Sequence, residues 1–148
     1  MRTVSKTVIG VDFGTQSARA VLVNAENGEI IYSCRKEYPY NSTPVPAIDC
    51  AENLPCATDY EMTLYELLRN VIQEEYRKTV AGICIDATSL TMVLLAEDGR
   101  ALSELNGWSE AAHARVKLWK YHRAQEKADE ALNLASNLQE PFLGRTGG

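Results

Sequence analysis

Residues 8–24, Val-Ile-Gly-Val-Asp-Phe-Gly-Thr-Gln-Ser-Ala-Arg-Ala-Val-Leu-Val-Asn, constrain the fold more than any other stretch of this chain. They form an apolar run, a polar turn and a second apolar run. Val8, Ile9 and Val11 are β-formers in a short continuous run, which predicts a buried strand. Ala20, Val21, Leu22 and Val23 predict its partner. Between the two runs lie Asp12, Gly14, Thr15, Gln16, Ser17 and Arg19. Such a segment is either an ordinary hairpin, since Gly and Ser are common in turns, or a turn shaped around a ligand. In the second case glycine, small hydroxyls and backbone N–H groups let a phosphate approach closely. An aspartate at the end of a buried strand can also hold a hydrated Mg²⁺.

The rest of the chain narrows the setting. At 148 residues, 45% apolar and 24% charged, it is long enough and balanced enough for one soluble globular domain. A net charge of −5 argues against nucleic acid or an anionic membrane surface as the main partner, and is neutral toward nucleotides. No apolar run reaches the length of a bilayer span, and no signal-peptide core follows the first residues, so a cytoplasmic location is expected. The cysteines are Cys34, Cys50, Cys56 and Cys84, with no C-x-x-C pair. Cys34 and Cys84 are expected as small buried hydrophobes. Cys50 and Cys56 flank a loop, where a disulfide or half a metal site stays open against a default of reduced thiols.

A third strand is expected over residues 29–38, after a hairpin turn at Asn27-Gly28, so the chain opens as an antiparallel meander. Residues 38–55 carry four of the five prolines and read as an irregular loop, either a surface excursion or the rim of a ligand site. Residues 58–78 read as a helix, with Thr58 and Glu61 as a capping box and Leu64, Leu67, Leu68, Val71 and Ile72 on one face. Residues 80–86 are a second buried strand, parallel to the first because a helix intervenes. It ends in Asp86-Ala-Thr-Ser89, small and polar residues at the carboxyl end of a strand, the usual ligand position of an α/β sheet. Residues 91–96 and 116–122 read as further strands. A last helix is expected over 123–138, with Ala124, Ala128, Ala131, Leu132, Ala135 and Leu138 along one face. His113 reads as a surface residue and His122 as structural.

Three stretches in register carry a resemblance: Gly10-x-Asp12-Phe-Gly-Thr-Gln-Ser-x-Arg19, Gly82-Ile-Cys-Ile-Asp-Ala-Thr-Ser89, and Leu118-Trp-Lys-Tyr-His-Arg-Ala124. The first resembles the leading phosphate motif of the actin, Hsp70 and sugar-kinase superfamily. All three together resemble the N-terminal domain of FGGY carbohydrate kinases, above all ribulokinases and related pentulose kinases. The resemblance implies a ribonuclease H-like α/β fold, a mixed sheet with flanking helices, here as an incomplete domain. It implies ATP and Mg²⁺ as cofactors and a small-molecule sugar as substrate, phosphorylated on a hydroxyl. By motif match, Gly14, Thr15, Gln16 and Ser17 would lie along the ATP phosphates, Arg19 near them, and Asp12 on the metal side. Ala87, Thr88, Trp119 and Lys120 would line the sugar site, where a strand-end hydroxyl and an aromatic face suit a sugar.

The chain also departs from that pattern. Tyr121 stands where ribulokinase-like chains commonly have Asp. In such kinases the general base is an Asp far downstream and the adenosine pocket belongs to a second domain. Residues 1–148 are thus expected to be the N-terminal part of the first domain, without kinase activity alone and with apolar surface that favours dimerisation or aggregation. The alternative is a non-catalytic nucleotide-binding module of the actin/Hsp70 fold. The D-A-T-S and L-W-K-x-H-R-A runs favour the sugar kinase, because a chaperone or filament protein needs no sugar pocket.

Overall fold

The structure, a computed structural model, describes residues 4–39, 55–109, 111–119 and 124–141. Strands β1 (Thr7–Phe13), β2 (Ser17–Asn24) and β3 (Ile30–Glu37) form the expected antiparallel meander. Strand β4 (Val80–Ala87) joins parallel to β1, giving the order β3-β2-β1-β4. A parallel neighbour requires a crossover, and helix α1 (Ala57–Val71) supplies it. Gly28, at φ 75°, reverses the chain between β2 and β3, and its N–H bonds the Asn24 carbonyl at 2.9 Å.

Alternation decides which face is core. Ile9, Val11 and Phe13 of β1 and Ala18, Ala20 and Leu22 of β2 are all buried on the α1 side. Leu67 and Val71 of α1 are fully buried against them, flanked by half-buried Leu64, Leu68 and Ile72. The apolar stripe read from the sequence is therefore the helix's packing face. Each fully buried side chain of this size contributes about 1.5–3 kcal/mol.

Several expectations are corrected. Helix α1 starts one residue earlier than expected and is capped by Asp59, not Glu61. The Asp59 carboxylate accepts the Cys56 N–H at 2.7 Å, which satisfies an amide the first turn would leave bare. The helix stops at Val71, because Ile72 turns to extended backbone and the charged residues beyond it continue no apolar stripe. A 3₁₀ turn, Glu74–Tyr76, precedes β4. No strand forms over residues 91–96, which make only the isolated bridges Met92–Lys117 and Leu95–Ala101. Leu90 breaks the extended path at φ 60°, and Met92, Val93, Leu94 and Leu95 are exposed among the described residues.

The stretch 116–122 likewise contributes only Lys117's bridge among the described residues. Helix α2 (Gln125–Asn137) forms, but of its expected face only Ala135 is buried, while Leu132 and Leu138 are exposed. Strand β4, expected as a buried strand, is exposed from residue 81 to 87, Cys84 included, because α1 packs over β2 and β3, and Cys34 is half-buried. Cys34, Cys56 and Cys84 are free thiols. The expected loop over 40–54 with Cys50, together with Lys120, Tyr121 and His122, lies outside the described residues.

Candidate functional site

Register places the site. Asp12 pairs with Asp86 and Phe13 with Ala87, so β1 and β4 end side by side. The turn Gly14-Thr15-Gln16 leaves β1 at that point. The Gly14 N–H bonds the Ser17 carbonyl at 3.0 Å, closing the turn. A Cβ on Gly14 would sit 3.1 Å from that same backbone oxygen, so the turn is tightest where the sequence has glycine.

Asp12 and Asp86 are side by side on one face of the sheet. Arg19, opposite Asp12 on β2, reaches its carboxylate at 3.4 Å, with both side chains largely in solvent. The Asp86 carboxylate accepts the Ala87 N–H at 2.9 Å. Among the described residues there is no group of three or more His, Cys, Asp or Glu side chains able to hold a metal ion. Ser17 accepts a hydrogen bond from Arg35 Nε at 2.9 Å, which brings a second cation to the turn.

The strand ends border a cavity of about 210 Å³, lined by Phe13, Gly14, Tyr60, Ala87, Thr88 and Thr91. Thr88 is doubly anchored, because its N–H and its hydroxyl both donate to the Phe13 carbonyl, at 2.9 and 3.0 Å. This ties the D-A-T-S turn to the end of β1. Thr88→Val removes one of these two bonds and is expected to lower stability by about 1 kcal/mol. Urea unfolding checks it, and an unchanged midpoint would mean the hydroxyl bond is not made in solution.

Trp119 is the other sequence-predicted residue brought to the turn. Its indole N–H donates to the Thr15 hydroxyl at 3.2 Å, and its ring is 57% exposed, leaving a face for stacking. Asp12, Gly14, Thr15, Gln16, Ser17, Arg19, Ala87, Thr88 and Trp119 thus gather around one end of the sheet. Tyr38, Arg35 and Tyr60 belong to the same neighbourhood and were not predicted. Tyr38 is 3% exposed and donates its hydroxyl to the Gly14 carbonyl at 2.8 Å. Tyr60 packs between Phe13 and Tyr38, at ring distances of 5.7 and 4.9 Å. Burial, with the Asp59 charge nearby, pushes its phenol up to about 12.

A parallel β1–β4 pair with a tight glycine turn and a small polar strand end at one sheet edge defines an α/β protein of the sugar-kinase and actin/Hsp70-like ATPase fold. Two kinases are among the solved structures that share it. The ligand-bound xylulose kinase of Lactobacillus acidophilus aligns with 90% of this chain and 24% of its own, at TM-score 0.60 and 18% identity. The gluconate kinase of the same organism aligns over the same shares at TM-score 0.59. The N-terminal domain pattern of the FGGY family of carbohydrate kinases matches residues 7–139, and the chain belongs to that family. Ribulokinase 1 of Staphylococcus saprophyticus is 36% identical over 145 residues, 94% of this chain and 27% of that protein. The ribulokinase of Halalkalibacterium halodurans is 32% identical over 152 aligned positions, 97% of this chain and 27% of its own. The chain thus spans about a quarter of the length of these relatives.

Proposed function

We propose that residues 1–148 are the N-terminal part of the first domain of a cytoplasmic pentulose kinase of the ribulokinase type, which phosphorylates a sugar hydroxyl from ATP. One observation carries most of the weight: the tight turn after β1 and the small polar end of β4 share a cavity. In this proposal Gly14, Thr15, Gln16 and Ser17 lie along the ATP phosphates, with Arg19 beside them. Ala87, Thr88, Trp119 and Lys120 face the sugar. Two ribulokinases with over 30% identity along nearly the whole chain support the substrate class.

The residues present fit Mg²⁺ in one manner only. The ion takes one or two carboxylates and completes its shell with water and substrate phosphates. Asp12, half-exposed at the strand end, is such a carboxylate, and no cage of three ligands is needed. When bound, the ion neutralises charge on the phosphates. The protein's own share is positioning: amides and Ser17 aligned along the phosphates, and a rigid strand end holding the sugar.

The test measures ADP release by the full product of the gene with L-ribulose, D-ribulose, D-xylulose and glycerol. Turnover is expected with a ribulose, and the 148-residue chain alone is expected to give none. No ADP release from the full product with any of the four sugars would sink the proposal.

A further inference from the structure

Tyr38 lies just past β3 yet makes two bonds to the turn that follows β1. Its hydroxyl donates to the Gly14 carbonyl at 2.8 Å, and its backbone N–H donates to the Gln16 carbonyl at 3.2 Å. In a planar trans peptide the C=O and N–H point opposite ways. Holding the Gly14 carbonyl on Tyr38 therefore aims the Thr15 N–H away from Tyr38. Holding the Gln16 carbonyl does the same for the Ser17 N–H. Among the described residues the Thr15 N–H donates to no protein acceptor. Glycine is the residue whose flanking peptides rotate most freely, so an outside group is needed to keep the Gly14 peptide in one orientation. Flipped, that peptide would present a carbonyl dipole where an anion should sit.

We propose that Tyr38 is a positioning residue that clamps this turn in its anion-binding orientation, an inference that rests on the nucleotide-phosphate site proposed above. Its ring is held by Tyr60 at 4.9 Å, and Tyr60 in turn by Phe13, so the clamp stands on the core rather than on a loop. Burial, with Tyr60, Asp12 and Asp59 nearby, pushes the Tyr38 phenol well above its usual value, so it remains a donor throughout the working pH range. Tyr76 is an internal control. It packs against the same core but lines no part of the cavity.

The experiment compares wild type, Tyr38→Phe and Tyr76→Phe in the full gene product. It reads Mg·ATP affinity by calorimetry, KM for ATP and for the sugar, and melting temperature. Tyr38→Phe should weaken Mg·ATP binding and raise the ATP KM roughly five- to tenfold, the scale of one lost hydrogen bond, with the sugar KM unchanged. Tyr76→Phe should leave both KM values unchanged. Equal Mg·ATP affinity in Tyr38→Phe and wild type overturns the clamp alone. The same holds if Tyr76→Phe weakens ATP as much, or if Tyr38→Phe loses ATP and sugar affinity together with a large fall in melting temperature. Wild type that fails to bind Mg·ATP overturns the phosphate site itself, and the clamp with it.

Discussion

Asp12→Ala is expected to reduce turnover of the full gene product at least about a hundredfold, the scale of losing one preorganised charge-stabilising group, with the fold intact. The stability side follows from exposure. The only ion pair of Asp12 among the described residues is with Arg19 at 3.4 Å, with side chains 49% and 68% exposed. Such a pair contributes about 0–1 kcal/mol, so the melting temperature should barely move. The activity side follows from position. Asp12 closes β1 beside Asp86 and leads directly into the Gly14 turn. A Mg²⁺ that keeps most of its water depends on one or two carboxylates at a fixed place, and no other strand-end carboxylate precedes this turn. Turnover and melting curves of the purified variant decide the matter. Wild-type turnover in Asp12→Ala would remove Asp12 from the metal role.

The sheet was legible because its signals are local or periodic. β-Formers bracket a polar turn at residues 8–24, Asn27-Gly28 marks the next reversal, and Leu64, Leu67, Leu68, Val71 and Ile72 recur at helical spacing. Residues 91–96 show where this logic fails. An apolar β-like run becomes a strand only if another strand offers it a ladder, and among the described residues none does. Helix α2 forms where its period places it, but of its alanine and leucine stripe only Ala135 is buried among the described residues. Cys84 is exposed because the apolar run of β4 does not say which part of the sheet the helix will cover.

Of the candidate site, Asp12 through Arg19 and Ala87-Thr88 were readable as motifs. Trp119 was readable only by resemblance, and its bond to Thr15 spans 104 positions that no local pattern can bridge. Tyr38 was invisible as a functional residue. Its signal is a register, Gln16 opposite Tyr38 continuing the Ser17–Glu37 pairing. That register becomes legible once β2 and β3 are aligned from the Asn27-Gly28 turn.

The core makes a second strong demand. Leu67→Ala should destabilise the chain by about 2–5 kcal/mol, because Leu67 has no exposed surface and sits at the centre of the α1–sheet cluster. For a domain of this size that is a fall in melting temperature of about 5–15 °C. Ile85→Ala is the matched comparison. Ile85 lies in register with Val11, on the same face of the sheet, but Val11 is 3% exposed and Ile85 is 55% exposed. Helix α1 lies over β2 and β3, so among the described residues β4 is left uncovered beside a groove of about 290 Å³ lined by Tyr65, Leu68, Arg69, Ile72, Arg77 and Val80. Removing Ile85 methyls therefore forfeits little buried area in the 148-residue chain, well under about 1 kcal/mol. Urea unfolding of both variants separates the two positions. A Leu67→Ala loss as small as that of Ile85→Ala would mean that α1 does not pack on the sheet as described. An Ile85→Ala loss as large as that of Leu67→Ala would mean that the face of β4 is covered in solution.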